Sequence, residues 1–189
     1  MRKILSIDGG GIRGIVPAIW LASMEQRTGK RVCELFDLIA GTSTGGILAL
    51  GLTRPDPVGK AAFGAAELAE LYQEHGGTIF QRPRWRRMLP VGNILDEKYG
   101  SAGIEQVLET YFGDSRLKDA TANVLVTSYE IERRFPFFFR SERAKADPYY
   151  DFAMKSAARA TSAAPTYFSP VKLEATGSAG YWALVDGGV

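Results

Sequence analysis

Ser43 stands in the run Ile39-Ala40-Gly41-Thr42-Ser43-Thr44-Gly45-Gly46-Ile47, where an apolar segment of strand character gives way to an apolar segment of helical character. The G-x-S-x-G spacing is that of a nucleophile elbow, a sharp turn that holds a serine in a strained backbone conformation with its hydroxyl exposed. Only small residues fit beside such a turn, and Gly41 and Gly45 supply the room. The elbow also points the backbone N–H of Thr44, with the helix start behind it, at a bound carbonyl on which negative charge develops. The chemistry this predicts is attack on an acyl carbonyl with Ser43 as nucleophile.

A serine hydroxyl needs a proton acceptor. The single histidine, His75, falls near the end of an expected helix ahead of any good acid candidate, whereas α/β-hydrolases order their triad as serine, acid, histidine. The base predicted instead is the carboxylate of Asp186, which ends a strand and is followed by Gly187 and Gly188, so that another group can approach closely. With such a base, negative charge starts on Asp186 and ends on the substrate oxygen, and strong donors must meet it there. The loop Asp8-Gly9-Gly10-Gly11-Ile12-Arg13-Gly14 offers them as consecutive glycine N–H groups at a helix start, beside the fixed charge of Arg13. Gly9, Gly10, Gly11, Arg13 and Thr44 are the candidate oxyanion hole. An unperturbed aspartate, with a pKa of about 3.9, is a weak base, so partial burial beside Ser43 is expected to raise it. Activity is then expected to rise through one ionisation on the acid side.

These groups require a particular scaffold. A buried strand is expected over Lys3 to Asp8, then the glycine loop, then a helix from Ile15 to Thr28 with Pro17 in its first turn and Gly29 just past its end. A second strand, Leu35 to Ala40, leads to the elbow and to a helix that Gly51 and Pro55 stop. Helices are expected over Ala61 to His75, Ser101 to Phe112 and Asp151 to Ala160, with Gly76 to Pro90 and Thr161 to Pro170 irregular. Ala122 to Glu130 and Phe135 to Arg140 are expected to pair as a hairpin, and Tyr181 to Val185 is a last strand. Alternating strand and helix with near-continuous apolar strands predicts an α/β fold with helices on both faces of a mostly parallel sheet, made mixed by the hairpin.

The chain has 189 residues, 46% hydrophobic and 23% charged, with a formal net charge of +2. That fits one soluble globular domain, excludes intrinsic disorder and gives no sign of a nucleic-acid partner. The lone Cys33, expected in the core, excludes an intramolecular disulfide and argues against a cysteine-based metal site, so a reducing, cytoplasmic setting is expected. No export signal and no apolar run of about twenty residues is visible, so any membrane contact is expected to be peripheral.

The glycine loop, the elbow Gly41-Thr42-Ser43-Thr44-Gly45 and the closing Asp186-Gly187-Gly188 occur in the order found in the patatin-like phospholipase family, which the chain resembles along essentially its whole length. The segment Ala158-Arg159-Ala160-Thr161-Ser162-Ala163-Ala164-Pro165-Thr166-Tyr167-Phe168 also resembles that family's approach to its last catalytic strand. The resemblance implies a three-layer α/β/α patatin-like fold, a Ser43–Asp186 dyad, and an oxyanion hole from Gly9, Gly10 and Gly11 with Arg13 nearby, supported by Gly14. It implies hydrolysis of acyl esters of glycerolipids through an acyl-enzyme, with no metal or other cofactor, and a regulatory small molecule or protein activator is compatible with it. Members usually continue past the final Asp-Gly-Gly, so residues 1–189 are expected to be the catalytic domain without that continuation.

Other readings compete. Gly9-x-Gly11-x-x-Gly14 matches a dinucleotide-binding fingerprint, but Asp37 precedes the core of the second strand instead of ending it. Gly41 to Ile47 lacks the lysine of a P-loop. A catalytically idle domain that keeps the fold for binding or signalling is the main alternative. Arg82, Arg84, Trp85, Arg86 and Arg87 suit anionic head groups or a solvated loop equally. Phe135, Phe137, Phe138 and Phe139 suit an acyl pocket or, more commonly for strand aromatics, core.

Overall fold

The computed structural model describes residues 1–80, 98–174 and 180–189. Its described strands are β1 (Ile4–Ile7), β2 (Leu38–Thr42), β3 (Asn123–Glu130), β4 (Phe135–Arg140), β5 (Val171–Glu174) and β6 (Tyr181–Asp186). The described helices are α1 (Ile15–Thr28), α2 (Val32–Leu35), α3 (Thr44–Thr53), α4 (Ala65–Phe80), α5 (Lys98–Phe112), α6 (Ser141–Ala146) and α7 (Met154–Thr161). The α/β class expected from the alternation is the one that forms.

The sheet runs β1-β2-β3-β6-β5, with β4 also paired to β3. β1, β2 and β3 are parallel neighbours, β4 and β6 are antiparallel to β3, and β5 is antiparallel to β6, so β1, β2, β3 and β5 share one direction. The register around β3 makes the site. Leu38–Thr42 pair with Asn123–Thr127, and Asp186 to Leu184 pair with Ser128 to Glu130. β4 pairs with Leu125–Glu130 and overlaps both stretches. A strand has two edges, so β2 and β6 occupy the same edge of β3, end to end, with β4 on the other.

Alternation sets which side chains are covered. Val124, Val126, Phe137 and Phe139 are buried on one face, while Ile4, Ser6, Pro136 and Phe138 on the other are exposed. Helix α3 carries no polar face and every one of its residues is buried, as a central helix requires. It packs beside α7, with Gly46 against Val126 and Thr161. Phe137, Phe139 and Phe152 form a ring cluster with centroids 4.9 to 6.1 Å apart. Phe137 and Phe139 are thus core, with no opening for an acyl chain between them.

Several boundaries differ from expectation for local reasons. The second strand starts at Leu38, because Arg31 N–H donates to Glu34 Oε2 at 2.7 Å and closes the short helix α2 first. Cys33 lies on α2, half-buried against the core. Helix α4 runs through Gly76 and Gly77 to Phe80, where an irregular segment was expected, and Gly76 packs against Ile12. Gly51 does not stop α3 but lies within it against Leu68, and the helix ends at Thr53 before Pro55. Helix α7 begins at Met154, not Asp151. The Asp151 carboxylate is held by Arg116 Nε at 2.6 Å and the Lys118 N–H at 3.2 Å, which keeps its chain out of the helix. Gly29 does cap α1 in the left-handed conformation, at φ 66°. The arginine and tryptophan cluster at 82–87 lies outside the described residues.

Candidate active site

Ser43 leaves the end of β2 at φ 55°, ψ −126°, a region that costs a non-glycine residue about 1–3 kcal/mol and persists only where its surroundings enforce it. The enforcement is visible. The Ser43 N–H donates to Thr161 Oγ1 at 2.8 Å, and its carbonyl accepts from the N–H groups of Gly46 and Ile47 at 2.9 and 3.1 Å. A side chain at Gly41 would collide with the Gly45 carbonyl, and one at Gly45 with the carbonyls of Ile7 and Asp8. The elbow therefore needs both glycines for close approach of backbone to backbone.

The end-to-end arrangement of β2 and β6 brings the carboxylate to the serine. Thr42 faces Thr127 and Asp186 faces Ser128, one step further along the same edge of β3. Asp186, 5% exposed, lies beside the Ser43 hydroxyl and accepts a hydrogen bond at 2.8 Å from the Gly188 N–H. Burial pushes its pKa above the ordinary carboxylate value, and the donated bonds from Ser43 and Gly188 pull it partly back. Its own N–H donates to the Ala163 carbonyl at 3.1 Å. Further along β6, Ser128 Oγ donates to the Val185 carbonyl at 2.5 Å, and the buried Glu130 carboxylate accepts from the N–H groups of Ala183 and Arg133. Gly187 packs on Thr127, whose hydroxyl donates to Thr42 Oγ1 at 2.8 Å, tying β2 to β3 beside the site.

The glycine loop skirts Ser43. A Cβ placed on Gly9 would lie 2.9 Å from Ser43 Cβ and 3.7 Å from Ser43 Oγ. Gly10 precedes a 3-10 turn, Gly11–Gly14, whose Arg13 N–H donates back to the Gly10 carbonyl at 3.1 Å. The Arg13 side chain is exposed, and Gly14 is buried against Thr44 and Tyr72. An apolar groove of about 570 Å³ leads away from Gly9, Gly10 and Arg13, between β1 and α1, to Trp20 and Met24.

Thr44 opens α3 fully buried. Its hydroxyl donates to the Tyr72 oxygen at 3.0 Å, and the Tyr72 hydroxyl donates to the Thr44 carbonyl at 2.7 Å. Burial raises the Tyr72 pKa strongly, so the phenol stays protonated as this donor. His75 lies elsewhere on α4, edge-on to Tyr111 at 6.2 Å and 3.9 Å from Glu74. Thr161, Ala163 and Tyr72 escaped the reading of the sequence, although Thr161 and Ala163 sit inside a segment already singled out there. Among the described residues no group of three or more His, Cys, Asp or Glu is placed to hold a metal ion.

Fold and site together define an α/β protein whose Ser43 sits at positive φ on a strand-to-helix turn, beside a buried aspartate. A family model described as Patatin-like phospholipase matches residues 5–189, and the chain belongs to that family. It is 36% identical over 201 residues to Patatin-like protein 2 of Oryza sativa subsp. indica, covering 100% of this chain and 50% of the relative. It is also 36% identical over 199 residues to Patatin-17 of Solanum cardiophyllum, with 100% and 50% coverage. The chain thus spans about half the length of the curated relatives it matches. Among solved structures it is similar to VipD from Legionella pneumophila, at a TM-score of 0.49 and 14% identity, over 100% of this chain and 46% of that one.

Proposed function

We propose that the chain hydrolyses acyl esters of glycerolipids by way of an acyl-enzyme on Ser43. The observation that carries this reading is that β2 and β6 meet end to end on β3, which sets the Ser43 hydroxyl beside the buried Asp186 carboxylate. Family membership supports the lipid ester as substrate class. Among the described residues no helix is long and apolar enough to cross a membrane, so the ester is met at a peripheral contact.

In the first half-reaction Ser43 Oγ attacks the ester carbonyl carbon and its proton passes to an Asp186 carboxylate oxygen. Negative charge develops on the former carbonyl oxygen beside the amides of Gly9, Gly10, Gly11 and Thr44, with Arg13 adding positive potential. Collapse of the intermediate breaks the bond to the alcohol, which takes the proton from Asp186. Water then attacks the acyl-enzyme, giving its proton to Asp186, and Ser43 leaves reprotonated as the fatty acid departs. The raised proton affinity of Asp186 serves both directions of transfer, since a stronger base accepts more readily and its conjugate acid still donates.

The test is fluorophosphonate labelling together with fatty-acid release from phosphatidylcholine, galactolipid and triglyceride dispersions. Wild type should label and hydrolyse at least one of the three. Ser43→Ala should do neither, with a loss on the order of 10⁶ by comparison with other serine hydrolases, and Asp186→Asn should label slowly. A folded wild type that takes up no probe and releases no acid would overturn the proposal in favour of an idle binding domain.

A further inference from the structure

Ser43 and Asp186 are 143 positions apart, yet each is bonded to the same short stretch at the end of α7. Thr161 Oγ1 accepts the Ser43 N–H at 2.8 Å, and two residues later the Ala163 carbonyl accepts the Asp186 N–H at 3.1 Å. Thr161 and Ala163 are each fully buried. The Thr161 methyl group lies against Gly46, so the side chain that holds the nucleophile's amide is itself lodged against the first turn of α3.

Between the two contacts the chain is closed tightly. The Ser162 N–H and hydroxyl both donate to the Ala158 carbonyl, at 3.3 and 2.8 Å, and the Ala163 N–H donates to the Ala160 carbonyl at 3.2 Å. The stretch continues into a turn in which the Tyr167 and Phe168 N–H groups donate to the Ala164 carbonyl at 3.1 and 3.0 Å. Residues 161–163 therefore cannot lengthen or slide without breaking several buried bonds.

From this geometry we infer that Thr161 is a positioning residue which, with the Ala163 carbonyl, acts as a clasp setting the spacing of Ser43 and Asp186. The inference rests on the dyad reading proposed above. Sheet register alone leaves the elbow free to relax. Ser43 starts α3, where the helix provides no acceptor for its N–H, and a β-region φ would relieve its strain while swinging the hydroxyl away from Asp186. The Thr161 hydroxyl satisfies that amide only while Ser43 stays at positive φ, so one bond removes a buried unpaired donor and selects the reactive backbone conformation. Thr161 touches no substrate atom in this role.

Thr161→Val keeps the buried shape and removes the acceptor, whereas Thr161→Ser keeps the acceptor and removes the methyl group. Thr161→Val should lower kcat and the fluorophosphonate labelling rate by about 10- to 100-fold with KM little changed, since misplacement of reacting groups by about 1 Å costs up to about 10². Thr161→Ser should recover kcat to within about threefold. Independently of activity, the Ser43 amide should lose its hydrogen-exchange protection in Thr161→Val and keep it in Thr161→Ser. Equal losses in both variants would reduce Thr161 to a packing residue and overturn the clasp. Unchanged kcat in Thr161→Val beside an active wild type would overturn it too, while leaving the dyad reading intact. A wild type that neither labels nor hydrolyses would remove the dyad reading, and the clasp's role with it.

Discussion

A methyl group added at Gly9 tests whether the glycine loop is where the oxyanion forms. In Gly9→Ala the new carbon would lie 2.9 Å from Ser43 Cβ and 3.3 Å from the Thr42 carbonyl oxygen. Carbon atoms in comfortable contact stand about 3.5–4.0 Å apart, so the loop or the elbow must retreat by about 0.6–1.1 Å. The elbow is fixed by Thr161 and by the start of α3, and the Thr42 carbonyl belongs to the sheet, so the exposed loop is what moves. It carries the Gly9 and Gly10 amides away from the developing charge by the same amount. A displacement of that size is expected to lower kcat about 10²-fold, or about 2.7 kcal/mol at about 1.36 kcal/mol per tenfold. The forced shift also costs stability, within the range of about 1–3 kcal/mol for overpacking, so melting is read beside activity. The assay is steady-state hydrolysis of a short p-nitrophenyl acyl ester with thermal melting of the same preparation. A Gly9→Ala protein with kcat within about threefold of wild type would refute the reasoning, because the loop amides would then not be engaged in the transition state.

Three further outcomes follow from burial. Because Asp186 must be ionised to accept a proton and burial raises its pKa, kcat/KM should rise with pH through a single ionisation above the ordinary aspartate value of about 3.9, and His75→Ala should leave that limb in place. The same shift acts on stability: between the unfolded value and the raised native value the folded state holds more protons, so the contribution of Asp186 is present below that window and lost as pH rises through it. Melting curves of Asp186→Asn across the same range should lack that decline. Phe139→Ala, at a position 1% exposed with ring centroids 4.9 Å from Phe137 and 5.4 Å from Phe152, should lose about 3–5 kcal/mol in urea unfolding, and the 45% exposed Phe138 far less.

Local motifs carried much of this into the sequence. The elbow is legible because G-x-S-x-G specifies a backbone shape that only certain residues permit, and the glycine loop is legible for the same reason. The α/β class was legible in the alternation of apolar runs. The boundaries that shifted are those decided by distant partners or by a single side chain. Arg31 and Glu34 close a turn of helix that takes in Leu35, where the sequence places the start of the second strand. Gly76 does not break α4, because packing against Ile12 outweighs its intrinsic preference. Strand β5 has only four residues and takes its meaning from β6 beside it. Thr161 was invisible as a partner of Ser43 since no spacing rule links positions 118 apart.

Because β2 and β6 share one rail of β3, the proposed pair of Ser43 and Asp186 comes together only when two separate long-range pairings, β2 with β3 and β6 with β3, have both formed. The Asp186 carboxylate cannot take its place until β6 has docked on β3, a step that bears the entropy of closing a long loop. On the proposed reading, Ser43 therefore lacks its proton acceptor until that ladder has formed.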